Sequence, residues 1–251
     1  MYSKTEQNRI HINCDLGEGS EGEELLMPFI SACNIACGGH AGTLETMQHT
    51  VDLALKHHVE IGAHPSYPDK THFGRISLDL PAKELRRTVV AQILSLKQLA
   101  EAEGGKLSHV KLHGALYHDA NQKEEIARTI MDALEEFDYE FALFAPEHAV
   151  ISHLAAGKIP LVFEAFGDRR YKSDSELVPR KEQGALILDK GQVLDQLLEM
   201  FLKHRVKTID GNWVSCNAST YCLHGDTPDA AKILEYLQEE LRQRHIEISR
   251  S

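Results

Sequence analysis

The stretch Ile10-His11-Ile12-Asn13-Cys14-Asp15-Leu16-Gly17-Glu18-Gly19 alternates apolar and polar side chains, the period of a strand with one buried face. It breaks into glycines where Asp15 and Glu18 appear. A strand that carries acidic groups to a glycine-rich loop at its carboxyl end is how an α/β barrel builds an active site. Taken alone, Asn13 and Asp15 would serve equally well as caps of the next turn or helix. The same plan recurs down the chain, and the recurrence decides the reading.

Residues 30–37 are small and apolar and stop at Gly38-Gly39-His40-Ala41-Gly42, a second strand presenting His40. Thr43 suits a helix N-cap, and Leu44, Met47, Val51 and Leu55 follow at helical spacing. Residues 59–65 form a third strand that presents His64 before Pro65 ends it. The loop 66–80 is long enough to be functional. Pro81 then opens a helix over 83–103 with an apolar face of Leu85, Val89, Ile93, Leu96 and Leu99. A fourth strand, 107–112, delivers Lys111 and then His113. Further strands are expected at 140–146, 161–168 and 219–223, and helices at 124–137, 148–156, 193–204 and 229–243. A polar loop runs from Asp168 to Glu182. Strands alternating with helices over short links give a parallel sheet closed, or nearly closed, into a single (β/α) barrel of seven or eight strands, with room for distortion. No repeat or linker divides residues 1–251, so one domain is expected.

The chain has 251 residues and a net charge of −11, which argues against nucleic-acid binding through a basic stripe. No apolar run reaches the length of a membrane span, and the polar start 1–9 lacks a signal-peptide core, so a soluble cytoplasmic protein is expected. The five cysteines, three of them (Cys14, Cys33, Cys37) in or beside strands, suit reduced thiols better than a disulfide framework. Cys33, Cys37 and His40 approach zinc-ligand spacing but lack a fourth partner, and structural zinc is not expected there.

Collected by strand, the carboxyl ends carry Asp15 and Glu18, His40, His64, Lys111 and His113, Glu164 and Asp168, then His224 and Asp226. A barrel brings all of them to one rim. One histidine beside a glycine is ordinarily structural; six such strand ends are a constellation. Asp15, His40, His64 and His113 could hold a divalent metal that acidifies bound water. Without metal, the carboxylates and histidines could pass protons while Lys111 stabilises an oxyanion. Arg75 and Arg169, each in a loop after a strand, are placed either to grip a substrate carboxylate or to form surface ion pairs. Gly104-Gly105-Lys106 is not a phosphate loop, lacking its spacer and hydroxyl residue.

Several segments resemble signatures of the LamB/YcsF family. They are Asn13–Glu18, Asn34–Gly42, Ile61–Pro65, His109–Tyr117, Asp168–Tyr171 and His224–Pro228, in that order across nearly the whole chain. The family includes the A component of the bacterial 5-oxoprolinase, and its fold is similar to glycoside hydrolase/deacetylase barrels. The chain departs from the family at Gly39, usually a large aromatic, and at Ile76, usually a second arginine. The resemblance implies ATP-dependent opening of the 5-oxoproline lactam to glutamate with two partner subunits, ATP being used by those partners. It implies Asp15, Glu18, Lys111 and His113 as catalytic residues. Asn13, His40, His64, Arg75, Glu164, Asp168, Arg169, His224 and Asp226 are the expected substrate-binding set. Two other functions fit the same rim: a stand-alone metal-dependent hydrolase of the deacetylase kind, and a non-catalytic subunit that binds a small acid.

Overall fold

The strands in chain order are β1 (Arg9–Ile10), β2 (Ile12–Leu16), β3 (Ala32–Ala36), β4 (Glu60–His64), β5 (Leu107–Lys111), β6 (Ala142–Ala145), β7 (Leu161–Phe166), β8 (Arg205–Lys207), β9 (Trp213–Ser215), β10 (Thr220–Cys222) and β11 (Glu247–Ile248). The helices are α1 (Leu44–His57), α2 (Ala82–Ala102), α3 (Gly114–Gln122), α4 (Glu124–Glu135), α5 (Val150–Ala155), α6 (Lys190–Lys203) and α7 (Ala230–Gln243). This is a computed structural model, and it describes residues 8–20, 22–138, 141–174 and 176–250. Most of the polar start 1–9, Glu21 and the expected strand start at Glu140 lie outside the described residues.

Seven strands, in the order β10-β2-β3-β4-β5-β6-β7, hydrogen-bond into a closed barrel, every neighbouring pair parallel. The alternation in β2 separates two environments. Ile12, Cys14 and Leu16 are fully buried in the apolar core cluster that the helices help to build. Asn13 and Asp15 point inward, because both hydrogen-bond Lys111 of β5, a strand that is not their neighbour. The barrel interior is therefore polar and its wall apolar.

Helix α1 begins as expected: Thr43 Oγ1 accepts from Thr46 N, and the Thr46 hydroxyl accepts from Thr43 N. Met47 and Val51 are buried, but Leu44 is 67% exposed, because the first helical residue overhangs the end of the core. Helix α2 buries Leu85, Val89, Ile93 and Leu96 as their spacing requires. Three features have no counterpart in the sequence reading. Helix α3 starts directly after His113. An antiparallel hairpin, β8–β9, sits in the long excursion between β7 and β10. The parallel pair β1–β11 ties the two ends of the described chain together.

Candidate active site

Lys111 organises the barrel floor. Its Nζ donates to Asp15 Oδ1 at 2.8 Å, Cys222 Sγ at 2.9 Å and Asn13 Oδ1 at 3.3 Å, and it pairs with Glu164 Oε1 at 3.0 Å. Burial works against the ammonium, but Asp15, Cys222 and Glu164 outweigh it and hold the Lys111 pKa well above its ordinary value. Its hydrogens are committed to the floor, so Lys111 offers a ligand its charge rather than a spare N–H. Asn34 Nδ2 donates to both Asn13 Oδ1 and Asp15 Oδ1 at 2.8 Å, and His109 Nε2 lies 2.7 Å from Asn34 Oδ1. A polar layer thus carries the acid layer above it.

The two acids on the β2 loop are tuned apart. Burial would raise the Asp15 carboxyl, but His64 and Lys111 beside it keep it well below the usual carboxylate range. Glu18 is pushed up to about 7, first by burial and then by the charge of Asp15. Neighbouring carboxyls separated in this way are the usual sign of distinct acid and base duties.

Three histidines surround Glu18. His64 Nδ1 lies 2.8 Å from Lys111 O, and His113 Nε2 lies 2.9 Å from Phe73 O. A carbonyl only accepts, so both of those nitrogens carry hydrogen. The nitrogens left over, His64 Nε2 and His113 Nδ1, face each other at 3.0 Å with lone pairs opposed. Such a contact is stable only with a shared proton or a bound cation between them. His40 stacks on His113 with ring centroids 3.6 Å apart, and its Nε2 lies 3.1 Å from Glu18 Oε1. Burial lowers the His40 pKa to about 3 and holds His113 well below its ordinary value.

Donor atoms of Glu18, His40, His64 and His113 all lie within 4.8 Å of one another. A tetrahedral zinc sphere with bonds of ~2.0–2.1 Å sets its ligands about 3.3 Å apart. The observed separations of 3.0 Å (His64–His113), 3.1 Å (Glu18–His40) and 3.6 Å (Glu18–His113) bracket that value. Because His40 and His113 stack within 4° of parallel, one cation cannot lie in both ring planes, so Glu18, His64 and His113 fit better than His40 does. The sequence reading puts Asp15 in the metal set with the three histidines; in the structure Glu18 groups with them, while Asp15 Oδ2 lies 3.4 Å from His64 Nε2 and Asp15 forms a second possible donor group with Cys222 and His224.

Above the floor opens a cavity of about 650 Å³. Of the expected residues, Asp15, Glu18, His64, Arg75, Lys111, His113, Arg169, His224 and Asp226 line it. The other four do not. Asn13 belongs to the supporting layer, and His40 lies behind Glu18 and His113. Glu164 accepts from Tyr117 Oη and pairs with Lys111. Asp168 accepts from His224 Nδ1, His224 N and Thr227 Oγ1. At the mouth, Asp226 takes both Arg75 at 2.8 Å and Arg180 at 2.6 Å, joining three loops. Sequence reasoning did not single out Tyr117, His118, Arg180 or Lys181, which also line the cavity. Arg180 lies in the polar loop from Asp168 to Glu182, but nothing in one sequence separates it from Arg170 or Lys172.

A model of the LamB/YcsF family matches residues 10–251. A lactam utilization protein from Thermus thermophilus is similar in structure, with a TM-score of 0.89 and 34% identity, over 97% of this chain and 100% of that one. A protein from Enterococcus faecalis V583 described as a putative cellobiose-phosphate cleavage protein has a TM-score of 0.59 and 12% identity, over 97% of both chains. A family 4 carbohydrate esterase from Streptomyces lividans has a TM-score of 0.50 and 10% identity, over 96% of this chain and 92% of that one. The last two bear on the fold alone.

Proposed function

Because the chain belongs to the LamB/YcsF family, we propose that it opens a lactam ring by adding water, as the A component of an ATP-dependent 5-oxoprolinase. The single observation that carries the reading is the acid pair in one cavity: Asp15 held ionised and Glu18 pushed up to about 7. Glu18 as carboxylate takes a proton from the attacking water. The water oxygen bonds to the ring carbonyl carbon, and Glu18 returns the proton to the ring nitrogen as the C–N bond breaks. Asp15 orients the water, and Lys111, charged and buried, favours the negative charge that develops at the carbonyl oxygen. His64 and His113 line the same cavity and relay protons.

A lactam of five members resists hydrolysis, so two partner subunits transfer the terminal phosphoryl group of ATP to the amide oxygen, releasing ADP. Once water has added and the C–N bond has broken, hydrolysis of the resulting acyl phosphate releases inorganic phosphate and glutamate. The test is reconstitution of this chain with its partners, 5-oxoproline and ATP, with each component omitted in turn. Glutamate and ADP form together only in the complete mixture; glutamate formed without ATP or partners would contradict the reading.

The donor cluster favours one alternative, a metal-dependent hydrolase that works alone. There Glu18, His64 and His113 would hold a divalent ion, which supplies an acidified water and electrostatic stabilisation of an oxyanion. Elemental analysis of protein purified without added metal separates the two readings.

A further inference from the structure

Burying a guanidinium without a counter-anion is costly, and such a group persists where a ligand supplies the charge. Arg169 is 5% exposed and lines the cavity. Its Nη2 donates to Val178 O at 2.8 Å, while its Nε–H has no acceptor. Among the described residues no carboxylate forms an ion pair with it. Asp168, its neighbour in the chain, is already occupied by His224 and Thr227. Arg75 and Arg180 differ, because they share Asp226 and are more exposed. Burial is the main influence against the Arg169 charge; Asp168 favours it through space without bonding to it, Arg180 opposes it, and Lys181 lines the same cavity. The pKa of His118 nearby is lowered, first by burial and then by the Arg169 charge.

We propose that Arg169 anchors an oxyanion subsite, gripping a carboxylate or phosphoryl group of the ligand through its open Nε–H and a second guanidinium hydrogen. This subsite rests on the lactam reading and deepens it: the cavity selects an anionic lactam over a neutral one. A planar guanidinium fork matches two oxygens of one group, which an ammonium cannot do.

The test is calorimetric titration of the full chain with 5-oxoproline, its neutral analogue 2-pyrrolidinone, and inorganic phosphate. It is run on wild type, Arg169→Lys and Arg169→Gln, with folding followed by circular dichroism. Wild type binds 5-oxoproline roughly tenfold or more tighter than 2-pyrrolidinone, as loss of charge-assisted hydrogen bonds implies. That preference disappears in Arg169→Gln and is only partly kept in Arg169→Lys. Phosphate binding that needs Arg169 identifies a phosphoryl partner as well as the carboxylate. If phosphate binds through Arg169 while neither lactam binds, the subsite stands and the lactam reading falls. Equal binding of the two lactams by wild type, an unchanged preference in Arg169→Gln, or no binding of any of the three overturns the subsite. Should both variants fail to fold, the wild-type comparison decides alone.

Discussion

At the scale of single residues, Lys111 and Glu18 carry opposite kinds of information. Lys111 neutralises two buried carboxylates, Asp15 and Glu164, and replacing it leaves Glu164 without a cation and Asp15 with His64 alone beside it. Lys111→Met is expected to cost ~3–5 kcal/mol in chemical denaturation, the range for breaking a buried pair by removing one partner. Glu18 acts the other way. Its folded pKa, about 7, stands above the ordinary 4.5, so folding favours its protonated form. The sign follows: this group's contribution is most favourable below pH 4.5 and is lost as pH rises through about 7. Glu18→Gln therefore gains stability relative to wild type above pH 7 and little below pH 4.5, read from urea midpoints across that range. Activity moves oppositely: the wild-type kcat/KM rises through an ionisation near 7 that the variant lacks. Asp15, Glu18, His64 and Lys111 were legible in sequence because each closes a strand at a glycine or proline turn. The missing partner of Arg169 was not legible, because it depends on Asp168 turning away to His224.

At the scale of elements, the strand alternation reads as one buried and one solvent-facing side, but every residue of β2 is buried, and the alternation instead separates an apolar wall from a polar barrel interior. In β2, β3 and β5 the inward positions are Asn13, Asn34, His109 and Lys111, linked across the interior. A period of two says that the faces differ; closure decides which face meets helices. Helix α3 escaped notice because its buried face includes Asp119, which accepts from Tyr67 Oη at 2.8 Å, and so lacks an apolar stripe. The hairpin β8–β9 is too short to announce itself. Gly39, the departure from the family pattern, has a partner in α2: a Cβ there would overlap Gln92 Oε1 and Ser66 Oγ, and Gln92 bonds both Ser66 N and Ser66 O. Gly62 in β4 lies against the His109 ring in the same way. Gly62→Ala is expected to cost about 1–3 kcal/mol by overpacking, measured as a lowered melting temperature.

At the scale of the whole molecule, the loops that follow the parallel strands meet at one mouth, and the charges there depend on one another. Asp15, Asp168 and Asp226 are all held below their ordinary range, against burial, by neighbouring cationic or hydrogen-bonding groups. Groups of this sign stabilise the fold above about pH 4, and that contribution is lost as pH falls through their folded values. Acid unfolding should therefore be steep below about pH 4. Asp168→Asn, which lowers stability at neutral pH, should flatten it, as equilibrium denaturation at each pH would show. The central claim is that ring opening takes place on the floor of this mouth. The most direct measurement is ATP-dependent glutamate formation by the reconstituted complex carrying Asp15→Asn or Glu18→Gln in this chain, alongside binding of 5-oxoproline by each variant. The expected result is a rate lower by roughly 10²–10⁴ with folding and lactam binding retained, the size of a lost acid–base contribution. Near-wild-type turnover by both folded variants would contradict it.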